Sequence, residues 1–157
     1  MTYNYSADEI FEMAKQIERN GAEFYRDAAA KVKREDAKNF LLDLARMEEE
    51  HENIFLEMQK ELAHGEDASQ VFEPVEEAVL YLKSFADTRV FFGKPKPGNV
   101  LAEILKSAIE TEKDSIAFYL GMKEMVPGEL GKKRVDGIIK EEMTHIRLLS
   151  DRLLECK

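Results

Sequence analysis

Apolar side chains recur at a helical period through most of the chain. Ile10, Ala14, Ile17, Gly21, Phe24 and Ala28 fall three or four residues apart, the stripe of an amphipathic helix. This predicts a first helix over about 7–33, opened by the capping box Ser6-Ala7-Asp8-Glu9. Lys33-Arg34-Glu35-Asp36 is a polar turn, with Asp36 the expected N-cap of a second helix. That helix puts Phe40, Leu44, Met47, His51, Ile54, Phe55 and Met58 on one face and runs to about His64, with Gly65 as its stop. Residues 65–98 break the rhythm: they hold three of the four prolines and end in Gly93-Lys94-Pro95-Lys96-Pro97-Gly98. Within them only Val75 to Phe85 has the makings of a short helix. A third helix is expected from about Asn99 to Met125, stopped by Pro127-Gly128, and a fourth from about Gly131 to Leu154.

The predicted architecture is all-α, a single domain over residues 1–157. Two helical hairpins, about 6–64 and 99–156, are joined by a long crossover over 65–98. A helix of about 27 residues is roughly 40 Å long. A crossover of 34 residues can return the chain over that distance, which a tight turn could not.

Ionisable residues interrupt the apolar stripes at matched places. Glu18 sits between Ala14 and Ala22, and Glu112 between Ala108 and Ile116. Glu48 and His51 are framed by Leu44, Met47 and Phe55; Glu142 and His145 by Ile138, Ile139, Leu148 and Leu149. A Glu three residues before a His is weak evidence in so acidic a chain, since His64 follows Glu61 in the same way. The offset is stronger: Glu18/Glu112, Tyr25/Tyr119, Glu48/Glu142 and His51/His145 all stand 94 residues apart. Each Glu pair also brackets a chain reversal, with midpoints at residue 33 in one hairpin and Pro127 in the other. The chain therefore reads as two copies of one hairpin. Four unpaired carboxylates in one core would cost many kcal/mol or be forced to protonate. Two divalent cations cancel their charge, so Glu18, Glu48, His51, Glu112, Glu142 and His145 are the candidate ligands of a two-metal site. Tyr25 and Tyr119, seven residues beyond their Glu, are expected as core aromatics, as hydrogen-bonding neighbours of the ligands, or as both. Glu49, Glu50, Glu110 and Glu141 point elsewhere round their helices and are expected to be solvated.

Composition narrows the surroundings of such a site. Charged residues are 35% of the chain and the net charge is −9, which argues against nucleic acid and anionic membranes as partners. No apolar run approaches the ~18 residues of a membrane helix, and Met1-Thr2-Tyr3-Asn4-Tyr5 does not open a targeting signal. One cysteine, Cys156, makes neither an internal disulfide nor a Cys-x-x-Cys centre. A cytoplasmic protein is the expectation.

With these residues the chain resembles the ferritin-like diiron-carboxylate superfamily, and within it short rubrerythrin-like proteins. The likeness covers both hairpins through Glu18 with Tyr25, Glu48-x-x-His51, Glu112 with Tyr119, and Glu142-x-x-His145. It implies a ferritin-like four-helix bundle. It also implies terminal ligands at Glu18 and Glu112, bridging ligands at Glu48 and Glu142, and one metal on each of His51 and His145. The implied cofactor is two Fe ions, with Mn or a mixed pair as alternatives. The implied activity is an oxidoreductase that reduces hydrogen peroxide or activates O2 with external electrons. A ferroxidase or iron-handling role and a dimanganese catalase-like site are the alternatives. Rubrerythrins typically add a carboxylate one turn beyond the third-helix ligand; here that place holds Ser115, matched by Gly21 in the first copy. The site is thus expected to be more symmetric. The rubredoxin domain that rubrerythrins proper append is also missing, which implies a separate electron donor such as a rubredoxin. A homodimer is the expected assembly.

Overall fold

The computed structural model describes residues 7–64, 76–88 and 97–156. They form five helices: α1 (Ala7–Lys31), α2 (Glu35–His64), α3 (Glu76–Thr88), α4 (Leu101–Met125) and α5 (Glu129–Glu155). Among the described residues there is no strand. The expected capping Ser6 and the stop at Gly65 lie outside them.

Three-residue connections fold α1 against α2 and α4 against α5 as hairpins. Asp36 is not the N-cap of α2. The first intrahelical bond runs from the Lys38 amide to the Arg34 carbonyl, 3.0 Å, so the helix begins one residue before Asp36. Its carboxylate instead accepts hydrogen bonds from Arg34 and, at 3.2 Å, from Arg152 of α5. Arg152 also lies 4.6 Å over the Phe40 ring, joining the first turn of α2 to the end of α5. The second hairpin turns where the proline requires it: Val126 is extended (φ −65°, ψ 128°), as a residue preceding proline prefers. Gly128 then takes φ 78°, open to glycine at no steric cost, so α5 starts at Glu129 rather than Gly131.

α3 lies in the crossover and packs on α4. The Tyr81 hydroxyl donates to the Ala117 carbonyl at 2.5 Å, and Phe85 meets Phe118 edge-on at 6.3 Å between centroids. A side chain at Gly121 would forbid this approach, because its Cβ would fall 2.6 Å from Tyr81 Cδ1.

The apolar core is split in two. One cluster gathers Ile10, Phe11, Phe55, Leu82, Phe118, Met122 and Val135, with other buried residues, at the end where α1 begins. The other gathers Tyr25, Ala28, Ala45, Leu41, Leu44, Ile104, Leu105 and Leu149 at the opposite end. Between them lie buried glutamates and histidines from all four long helices: Glu18, Glu48, His51, Glu112, Glu142 and His145.

Candidate metal centre

The helical period that lines up the core also puts these six side chains in one layer. None of them is more than 3% exposed. They form two overlapping quartets, Glu18–Glu48–His51–Glu142 and Glu48–Glu112–Glu142–His145. Within each, one donor atom per residue lies within 4.8 Å of every other. Glu48 and Glu142 are common to both, the arrangement bridging carboxylates require. Each quartet takes three residues from one hairpin and its fourth from the other.

Both imidazoles turn Nδ1 inward. His51 Nδ1 is 3.1 Å from Glu142 Oε1 and 3.6 Å from Glu18 Oε2. His145 Nδ1 is 3.0 Å from Glu142 Oε2, 3.2 Å from Glu48 Oε1 and 3.5 Å from Glu112 Oε1. The rings face each other at 5.8 Å, 19° from parallel. Four buried atoms here, Glu18 Oε2, Glu48 Oε1, Glu142 Oε2 and His145 Nδ1, make no hydrogen bond despite their close neighbours. Buried polar atoms are seldom left so. A carboxylate and imidazole set with inward, unbonded lone pairs fits two divalent cations of the Fe or Mn type.

The electrostatics of the metal-free layer point the same way. Burial, then the charges of Glu48 and Glu142, hold the Glu18 carboxyl well above the usual range. Burial and the same two charges raise Glu112. Glu142 resists its burial because the His145 imidazole stands beside it and His51 hydrogen-bonds to it, and it lies below the usual range. Burial works against charge on the imidazoles, but the Glu142 hydrogen bond and the charges around it push His51 up to about 9. The close carboxylates of Glu112, Glu142 and Glu48 likewise push His145 up to about 12 against its burial. Without metal, then, burial and mutual repulsion favour protons on Glu18 and Glu112, and the nearby carboxylates favour them on the imidazoles.

The tyrosines cross between hairpins. The Tyr25 hydroxyl of α1 donates to Glu112 Oε1 of α4 at 2.5 Å, and that of Tyr119 in α4 to Glu18 Oε1 of α1 at 2.6 Å. Burial, then the charge of the bonded glutamate, raises both hydroxyls well above their usual value, so both protons stay on oxygen. Gly21 makes room for Glu48: a Cβ there would stand 3.1 Å from Glu48 Oε2. Its counterpart Ser115 is buried and donates to the Thr111 carbonyl of its own helix at 3.1 Å.

One expectation fails. Glu141 is not simply solvated: although largely exposed, its carboxylate hydrogen-bonds His51 Nε2. The corresponding nitrogen of the other imidazole, His145 Nε2, meets Met47 Sδ at 3.2 Å. Glu141 directly precedes Glu142, and its contact with His51 appears only once the hairpins are packed together. The remaining acids treated as solvated, Glu49, Glu50 and Glu110, are exposed.

Comparison with known proteins agrees with this geometry. A crystal structure from Thermotoga maritima, described as that of a ferritin-like diiron-carboxylate protein, superposes with a TM-score of 0.71. The two chains are 25% identical, and the match covers 100% of each. No curated protein matches significantly. No helix among the described residues is long and apolar enough to cross a membrane. The rubrerythrin family profile matches residues 9–154, nearly the whole chain, and the chain belongs to the rubrerythrin family.

Proposed function

We propose that the protein is a diiron-carboxylate oxidoreductase that reduces hydrogen peroxide with electrons from a separate protein. The observation that carries this is the pair of buried quartets sharing Glu48 and Glu142. Glu18, Glu48, His51 and Glu142 would hold one ion, and Glu48, Glu112, Glu142 and His145 the other. When bound, the two irons supply the pair of electrons that splits the O–O bond. The reaction H2O2 + 2e⁻ + 2H⁺ → 2H2O also takes up two protons.

The chain's own residues set the conditions. Donors exposed by no more than 3% exclude bulk water and any large substrate, which leaves a molecule the size of H2O2 or O2. Tyr119 and Tyr25 hold Glu18 and Glu112 in place through protons that do not leave the hydroxyls at neutral pH. Since each quartet draws on both hairpins, the two hairpins act as one domain. A cytoplasmic homodimer receiving electrons from a rubredoxin-like donor completes the reading.

Stopped-flow oxidation of the diferrous protein, by H2O2 and by O2 in parallel, tests it. Oxidation at least tenfold faster by peroxide is expected. Faster oxidation by O2 would make the protein an oxidase or ferroxidase instead.

A further inference from the structure

The donor residues match one for one across the repeat, but what stands behind them does not. Met47 and Glu141 occupy equivalent positions in the two hairpins, each one residue before a shared glutamate. Glu141 reaches across to His51 Nε2, and Met47 reaches across to His145 Nε2. The repeat thus backs one imidazole with a carboxylate and the other with a thioether. A carboxylate accepting the outer N–H fixes a ligand imidazole in its ring orientation and tautomer and makes its other nitrogen a stronger donor. A thioether sulfur is a weak acceptor and does little of either.

We infer that Glu141 and Met47 make the two metal positions inequivalent. The position of Glu18 and His51 fills first and holds its ion more tightly; that of Glu112 and His145 exchanges its ion more readily. This rests on the metal reading above. Glu141 is a positioning residue, acting through His51 without touching the metals. Its side chain is 62% exposed and so reachable from solvent, whereas Met47 is half-buried against the alanine-rich cluster. The more firmly held ion is therefore the one whose supporting group can be altered without disturbing the core.

The test is calorimetric titration of the metal-free protein with Co(II), followed also by the visible d–d bands. Removing one imidazole at a time compares the positions without interference between two ions. His145→Ala keeps the carboxylate-backed quartet and His51→Ala the thioether-backed one. His145→Ala is expected to bind its one Co(II) about 10–100-fold more tightly, the usual worth of a partner behind a metal-bound histidine. In the intact site, Glu141→Met should weaken the first binding step by a similar factor. Glu141→Gln, which keeps an acceptor, should recover part of it, and Met47→Glu should tighten the second step. Equal affinities in the two histidine variants, or a first step within about threefold of wild type in Glu141→Met, would overturn the inference while leaving two-metal binding intact. If wild-type protein takes up no Co(II), the metal reading falls and the inference with it. Should Glu141→Met fail to fold, Met47→Glu and the histidine pair decide.

Discussion

The two hairpins agree where they face each other and differ almost everywhere else. Glu18, Tyr25, Glu48 and His51 have identical counterparts 94 residues on, and all eight side chains are buried in or beside one layer. One turn away from Glu18 the copies diverge: Gly21 yields space to Glu48, while Ser115 bonds its own helix. Outside the layer the surroundings differ too, because α3 covers α4 and none of the described residues covers α1 in the same way. The comparison teaches which positions the chemistry holds alike and which packing leaves free. Paired substitutions at the shared positions should therefore act alike, and those at the divergent positions should not.

The largest effect is expected at the shared glutamates. Glu48→Ala and Glu142→Ala should each abolish stable binding of two metals, measured as Fe(II) per chain after anaerobic loading. Two ions retained by either variant would refute the bridging roles. Next come the tyrosines. Tyr25→Phe and Tyr119→Phe each remove a donor from a buried glutamate, at a cost of about 1–3 kcal/mol. Denaturant unfolding of the metal-free variants should give similar losses, and a large difference would break the equivalence of the hairpins. The divergent pair comes third. Gly21→Ala should weaken metal binding by roughly tenfold as Glu48 is pushed aside, the counterpart of about 1.4 kcal/mol. Ser115→Ala should leave it within about twofold.

A smaller, graded effect follows from protons. The His51 imidazole is raised from its ordinary 6.5 to about 9 in the metal-free fold. The stability it contributes is full below pH 6.5 and is lost as pH rises through about 9. The raised carboxyls of Glu18 and Glu112 act in the same direction, since they too bind protons more strongly when folded. The melting temperature of metal-free protein should fall between pH 6.5 and 9, while that of metal-loaded protein stays nearly flat over the same window. A flat metal-free profile would count against proton balance in the layer.

Much of this was legible in the residue pattern. The helix periods, the two reversals and the buried layer follow from side chains within one helix or one hairpin. Boundaries moved by two or three residues where local backbone chemistry decided them, as at Gly128 and Arg34. What the pattern could not reveal is reach across the bundle. Tyr25 shares a face with Glu18 yet bonds Glu112, and Glu141 points off its own apolar stripe yet meets His51. Linear spacing says which face a residue occupies but not which neighbouring helix its far end touches. The seating of α3 on α4 is of the same kind: Gly121 is a clearance whose use appears only once Tyr81 fills it.

The crossed tyrosines and the mixed quartets have one more consequence. Two apolar clusters already join the hairpins, one on each side of the layer, and the layer between them ties the halves by polar groups instead. Each ion bound there would be a rivet through both halves. Loading would then tie the two halves more firmly together, and metal-loaded protein would be expected to outlast metal-free protein under limited proteolysis.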